Sequence, residues 1–332
     1  SSCFGSRLKL FTSILPIASG MALNAAVFYR TYHGHTVEHL RVLKDGLRTA
    51  GVDRFAYLAG DSSFDNKHWF FDRMRTKASQ IGGQASFVDD ALNGYQKVLS
   101  PPRMVKDVSY WLNKECMEQT SALQQPPLAC LNCAVEESCI GLRETNGLLP
   151  QDEFIRDNIT EDDILVVDVG GNDVALSPTV GVIVNMLWLL YLTPKALVKL
   201  WPLTAPGLCY FIHMFRIRLR RYIEDLTAKR KPRKVVVCML YFLDEKPGGS
   251  WADMILGKLG YDTDPSKLQA VIRHVYSWGV SQISIPGTTV VPLPLYEVLD
   301  GKDTSDYVQR VEPSVTGGQK MARAIAERIF SQ

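Results

Sequence analysis

Two short apolar runs, each broken by a glycine-led polar string, constrain this chain more than any other feature. Phe55-Ala56-Tyr57-Leu58-Ala59 runs into Gly60-Asp61-Ser62-Ser63, and Asp163-Ile164-Leu165-Val166-Val167-Asp168-Val169 runs into Gly170-Gly171-Asn172-Asp173. Short runs rich in β-branched and aromatic residues and bounded by glycine read as strands buried on both faces, the kind that parallel sheets use. Open α/β sheets carry their chemistry at the carboxyl ends of such strands. Ser62 would then stand at a strand-to-helix turn, where backbone N–H groups can hold a developing oxyanion. Asn172 would offer an uncharged side-chain donor at the same rim, and the glycines let the backbone turn sharply beside a ligand.

The rest of the chain fits such a sheet. Lys234 to Tyr241 reads as a further core strand, ending near Asp244 and Glu245 at the same rim, and Thr288 to Leu295 as the last. Apolar periodicity predicts helices over Thr36–Ala50, Lys67–Ile81, Pro101–Lys114, Gln151–Ile159, Trp251–Leu259, Pro265–Gly279 and Ser314–Ser331. At 332 residues and 46% hydrophobic, the chain suits one large α/β domain with an appendage. The division expected is an apolar amino-terminal segment over 1–35 and a domain over 36–332, with an apolar helical insertion at about 178–228. A net charge of +2 gives no polyanion-binding signature, so nucleic acid is not an expected partner. No phosphate loop or dinucleotide fingerprint appears, and no cofactor or metal is expected.

In this order, each behind a strand, the two strings resemble block I (Gly-Asp-Ser) and block III (Gly-x-Asn-Asp) of the SGNH, or GDSL-type, hydrolase superfamily. Gly60 to Trp69 (GDSSFDNKHW) together with Arg310-Val311-Glu312-Pro313-Ser314 also resembles a eukaryotic branch of it that lacks the block V Asp-x-x-His. The resemblance covers residues 50 to 330. It implies a three-layer α/β/α flavodoxin-like sandwich around a central parallel sheet. It also implies cleavage of esters, thioesters or acyl groups by a serine nucleophile, here Ser62, and hence an acyl or lipid substrate.

Block V departs from the pattern. Over Gln309 to Gly318, Pro313, Ser314 and Gly318 fit, but Gln309 stands where the Asp would be and Glu312 where the His would be. A serine hydroxyl needs a base of near-neutral pKa, which imidazole supplies without adjustment. A glutamate starts at about 4.3 and needs desolvation or a like-charged neighbour to rise into range. Glu312 is the candidate base, with Asp303 or Asp306 as the neighbour that raises it. The six histidines are His33, His35, His39, His68, His213 and His274. His68 follows Ser62 by six residues, a spacing that puts it on a different helix face, and His213 reads as structural. Block II, which supplies a further oxyanion donor, has two candidates. One is Asn93-Gly94-Tyr95; the other is Leu131 to Ser138, where Glu136 or Glu137 stands near the usual glycine. The oxyanion-donor candidates are therefore Ser62, Gly94, Glu137 and Asn172.

Three further features bear on partners. Leu10 to Tyr29 has no charged residue and is flanked by Arg7, Lys9 and Arg30. Its length suits a membrane span or anchor, a packed helix is the other reading, and a mitochondrial or other organellar membrane would suit its basic flanks. The chain starts at Ser1 without a methionine, which reads as a processed or partial form. Val180–Leu200 and Leu203–Phe215 are apolar nearly all round and lead into Arg216–Arg221 and Lys229–Lys234. Such segments suit a membrane surface, a lid over an acyl-chain pocket, or an interface in a membrane-associated complex. Seven cysteines without regular spacing argue against a disulfide framework, and Cys130, Cys133 and Cys139 read as structural thiols. Two functional readings stand: a serine acyl hydrolase, and a non-catalytic SGNH-fold accessory subunit.

Overall fold

The computed structural model describes residues 22–73, 86–175, 180–200 and 204–331. Five strands build one parallel sheet: β1 (Arg54–Gly60), β2 (Leu128–Asn132), β3 (Ile164–Asp168), β4 (Lys234–Met239) and β5 (Thr289–Pro294), in the order β2-β1-β3-β4-β5. Nearly every residue of β1 to β4 is buried, as the unbroken apolar runs require. Alternate residues feed two cores. Phe55, Tyr57 and Ala59 point into one, while Ala56 and Leu58 point into the other.

Helices cover both faces. On the first lie α1 (Val37–Thr49), α2 (Lys67–Arg73) and, later, α4 (Pro150–Asn158); on the second lies α3 (Val108–Ala122). After β3 come α5 (Gly171–Ala175), α6 (Val180–Leu187), α7 (Leu208–His213) and α8 (Leu219–Leu226). Then follow α9 (Asp253–Lys258), α10 (Ser266–Trp278) and α11 (Val315–Phe330), the last packed on α3 over the second core. Caps fix the starts: Thr36 accepts from the His39 N–H, Asp107 from Tyr110 and Ser314 from Gly317. The result is a three-layer α/β/α sandwich.

Several boundaries differ from the sequence reading. The helix expected over Pro101–Lys114 begins only at Val108, because Asp107 caps it there and Arg103–Val105 pairs antiparallel with Val88–Asp90. The helix from Lys67 is described to Arg73; the rest of the expected span lies outside the described residues. Of the apolar segment Leu10–Tyr29, residues 10–21 also lie outside them. Its end forms a short helix, Ala25–Arg30, with Ala25, Phe28 and Tyr29 buried in the first core. Among the described residues no helix is long and apolar enough to cross a membrane.

The apolar stretch after block III is broken into short helices. α6 runs on through a π-helical turn at Trp188–Leu192, and a second such turn, Met214–Arg218, joins α7 to α8. Inner side chains such as Leu189, Phe211 and Phe215 are buried, whereas Leu187, Trp188, Tyr191 and Leu192 on the outside are exposed. The basic loop before Lys234 lies at the amino ends of β4 and β5, where Arg233 N–H donates to Asp163 O and Thr288 Oγ to Pro232 O. That is the end of the sheet remote from Ser62.

Candidate functional site

The pairing of β1 with β3 sets Gly60 opposite Asp168, which brings the polar strings that follow them to one rim. Both turns depend on glycine. A Cβ on Gly60 would stand 2.2 Å from the Asp168 carbonyl oxygen. Gly170 has φ 118°, and its Cβ would fall 2.7 Å from the Phe215 ring. Ser62, 5% exposed, sits in the turn closed by the Phe64 and Asp65 N–H groups on Asp61 O.

Glu312 reaches Ser62 from the far end of the chain. A two-stranded antiparallel hairpin, β6 (Tyr307–Val308) and β7 (Glu312–Pro313), turns through Gln309 and Arg310, both left-handed at φ 54° and 67°. Arg310 holds that turn from inside. Its guanidinium pairs with Asp253 at 3.0 Å and Asp262 at 2.9 Å, and it donates to Asp244 O. Tyr241 OH donates to Val311 O at 2.6 Å, and Asn66 Nδ2 donates to Pro313 O at 2.9 Å. Thus fixed, Glu312 accepts the Ser62 hydroxyl at 3.0 Å through Oε1, and its Oε2 has no partner among the described residues. Burial, then the nearby Asp61, push the Glu312 carboxyl up to about 8, against the lowering effect of the Ser62 hydrogen bond.

Asp306 is not the neighbour that raises it. It pairs with Lys320 at 2.7 Å, and Asp303 faces the same lysine, so the acidic partners of Glu312 are Asp61 and Asp65 instead. Gln309, at the block V aspartate position, makes no bond to Glu312. Its carbonyl accepts from Ser250 Oγ, and its side-chain oxygen accepts from Trp251 N–H.

The two block II candidates separate cleanly. Gly94 packs against Leu47 and Val52, and its neighbour Asn93 bonds to Leu128 O at the start of β2, away from Ser62. The stretch after β2 is the one beside the site. There Glu137 takes up φ 61°, a left-handed conformation that favours glycine. The Glu137 carboxylate accepts from Tyr32 OH at 2.9 Å. The Glu136 N–H donates to Asp65 Oδ2 at 3.2 Å. Asn172 lines the same pocket as Ser62 and gives one of its two amide hydrogens to Ser138 O at 3.2 Å. Asp173 of the same string is structural: it accepts the Ile140 and Gly141 N–H groups at the start of the helix Ile140–Asn146.

Sequence reading missed the buried acidic surroundings. Asp61, Asp65, Asp168, Glu136 and Glu312 are all buried, and Lys67 is paired with Asp65. Burial drives the Glu136 carboxyl up to about 10, with Glu312 next in effect. Asp61 rises to about 6, and Asp168 lies well above the usual carboxylate range through burial and Asp61. The signal was the string Asp65-Asn66-Lys67 inside Gly60–Trp69. The His68 ring packs edge-on to Tyr32 and Trp69. Cys130, Cys133 and Cys139 are buried and outside any disulfide, and among the described residues no group of His, Cys, Asp or Glu is set to hold a metal ion.

An apolar pocket with about 170 Å³ of free space opens beside Ser62. Asp61, Ser62, Asn172 and Glu312 form its polar end, while Leu189, Phe215, Leu256 and Val271 are among the side chains that make it apolar. Ser62 and Asn172 at adjacent strand ends, with the block V segment folded back ahead of the last helix, decide the architecture. The chain has an SGNH-type hydrolase fold. No family model matches it, and no curated protein does. Among solved structures it is similar to an extracellular lipase from Streptomyces rimosus (14% identity, 83% of this chain and 100% of that one, TM-score 0.44). It is also similar to a putative GDSL-like lipase from Parabacteroides merdae (14%, 83% and 95%, 0.43) and an acetyl xylan esterase from Geobacillus stearothermophilus (14%, 84% and 96%, 0.39).

Proposed function

We propose that this protein is a serine acyl hydrolase in which Glu312 serves as the base that other serine hydrolases take from histidine. The single observation that carries the reading is the 3.0 Å hydrogen bond from Ser62 Oγ to a buried carboxyl pushed up to about 8. A carboxylate of that basicity can accept a hydroxyl proton near neutral pH. Ser62 Oγ attacks the acyl carbon and its proton passes to Glu312. The tetrahedral intermediate collapses, the C–O bond to the alcohol breaks, and the departing oxygen takes the proton from Glu312. Water then attacks the acyl-serine, gives a proton to Glu312, and Ser62 leaves with that proton restored. The Ser62 N–H and the free amide hydrogen of Asn172 are the oxyanion donors.

The apolar pocket at the serine supports an acyl chain longer than acetyl. The test is hydrolysis of p-nitrophenyl esters from acetyl to dodecanoyl by wild type, Ser62→Ala and Glu312→Gln. Turnover that favours longer chains and is lost in both variants supports the reading; turnover that survives Ser62→Ala overturns it.

A second reading, a non-catalytic partner subunit, has one observation in its favour. The outer faces of α6 and its π-helical turn expose Leu187, Trp188, Tyr191 and Leu192, an apolar surface of the kind that contacts a partner or a lipid surface. A folded wild-type protein with no turnover on any of the esters would favour it.

A further inference from the structure

Past the polar end of the pocket, the rim is made of aromatic rings and carboxyl groups. Trp251 lines the pocket with Glu312 and lies nearly parallel to Trp69, with ring centroids 6.4 Å apart and planes at 22°. Trp69 Nε1 donates to Glu136 Oε1 at 3.2 Å. The His68 ring bridges Trp69 and Tyr32, at 5.5 and 4.4 Å, and Tyr32 OH bonds to Glu137. Tyr32, Trp69 and Trp251 are each partly exposed.

The titratable groups that face this rim are acids. Asp61, Glu136 and Glu312 are 2%, 2% and 4% exposed, and each keeps one carboxyl oxygen without a partner among the described residues; Asp61 and Glu312 line the pocket itself. Lys67 is engaged by Asp65. Attack by Ser62 makes the substrate's carbonyl oxygen negative, so each of these acids that ionises without a compensating cation opposes the reaction. An anionic substrate would add to that repulsion. A cation brought in by the substrate removes it, and aromatic faces beside carboxylates are the usual surroundings of a bound ammonium group.

We propose that the rim of Tyr32, Trp69, Trp251, Glu136 and Glu312 binds the ammonium group of a cationic alcohol. The favoured substrate is then an apolar acyl chain esterified to an amino alcohol. This rests on the reading of Ser62 as an acyl-transfer nucleophile. Chemically the subsite extends the acyl pocket, with which it shares Trp251 and Glu312, so that acyl chain and cationic leaving group meet at Ser62. Burial holds protons on Glu136 and Glu312, and an arriving cation favours their ionised forms, so ammonium binding releases protons.

The experiment compares three decanoyl esters: that of choline, that of its uncharged isostere 3,3-dimethylbutanol, and that of 2-(dimethylamino)ethanol, smaller by one methyl group. The two cationic arms separate a quaternary ammonium from one with an N–H to donate. The expected result is a kcat/KM about tenfold higher for a cationic ester than for the neutral one, the size of a cation–π contact supported by a carboxylate. That ratio should fall toward one in Trp69→Leu, with Tyr32→Leu, at the outer rim, as the second variant should Trp69→Leu not fold. Equal rates on all three esters would overturn the subsite. Binding is read separately by calorimetry of choline and tetramethylammonium with Ser62→Ala, in two buffers of different ionisation enthalpy. Millimolar affinity with proton release supports the subsite even if no ester turns over, in which case only the hydrolase reading fails. No binding to folded Ser62→Ala overturns the subsite.

Discussion

On the proposed mechanism Glu312 takes a proton from Ser62 only in its ionised form, so its raised pKa would set the working pH. Activity should climb with pH through about 8 rather than reach its plateau near the 4.5 of an ordinary glutamate. A pH profile of kcat/KM that is already flat by pH 6 would contradict this. Stability follows the same group with the opposite sign. Below the unfolded value both states hold the proton and nothing is lost. Between that value and about 8 the unfolded chain releases it while the folded protein retains it, so stability falls as pH rises. Glu312→Gln, which cannot ionise, should therefore gain roughly 2–4 kcal/mol over wild type between pH 5 and 9. Paired urea titrations at the two pH values check this, and a constant difference would contradict it. Ser62 and Asn172 were legible in the sequence because their chemistry sits in short contiguous strings. The acidic partners of Glu312 were not. Asp61 and Asp65 lie about 250 residues away along the chain, and periodicity carries no information on contacts at that separation.

The hairpin β6–β7 is the element on which the site depends. Its left-handed turn at Gln309 and Arg310 is held by the buried guanidinium on Asp253, Asp262 and the Asp244 carbonyl. Arg310→Met leaves the partly exposed Asp253 and Asp262 without their cation and the Asp244 carbonyl without its donor, and should cost about 1.5–3 kcal/mol. Because Arg310 is a positioning residue, kcat should fall further than KM rises, and Arg310→Lys should restore part of the stability but little of kcat. A loss confined to KM would argue that the hairpin does not set the Ser62–Glu312 contact. Strand and helix existence was readable here from composition and caps: Ser314 caps α11, and β4 and β5 lie within a residue or two of their expected spans. The late start of α3 was not, since Asp107 outcompetes the preceding prolines as the helix signal only once Arg103–Val105 is paired with Val88–Asp90.

At the scale of the whole molecule, the helices after β3 fold back over the rim and give the serine an apolar pocket. Their sequence showed apolar character on nearly every side without indicating which side faced the sheet. The structure turns Leu189, Phe211 and Phe215 inward and Leu187, Trp188 and Tyr191 outward. Filling the pocket from α10 with Val271→Phe should shift ester preference toward acetyl by about tenfold or more while sparing the short-chain rate. An unchanged chain-length profile would mean that acyl chains lie elsewhere. The central claim, that Ser62 is activated by Glu312, is tested most directly by a fluorophosphonate probe with the adduct located by peptide mass mapping. The account predicts a single adduct on Ser62, formed faster as pH rises through about 8, absent in Ser62→Ala and at least about a hundredfold slower in Glu312→Gln. A folded wild-type protein that takes no label, or one labelled equally fast with glutamine at position 312, would contradict it.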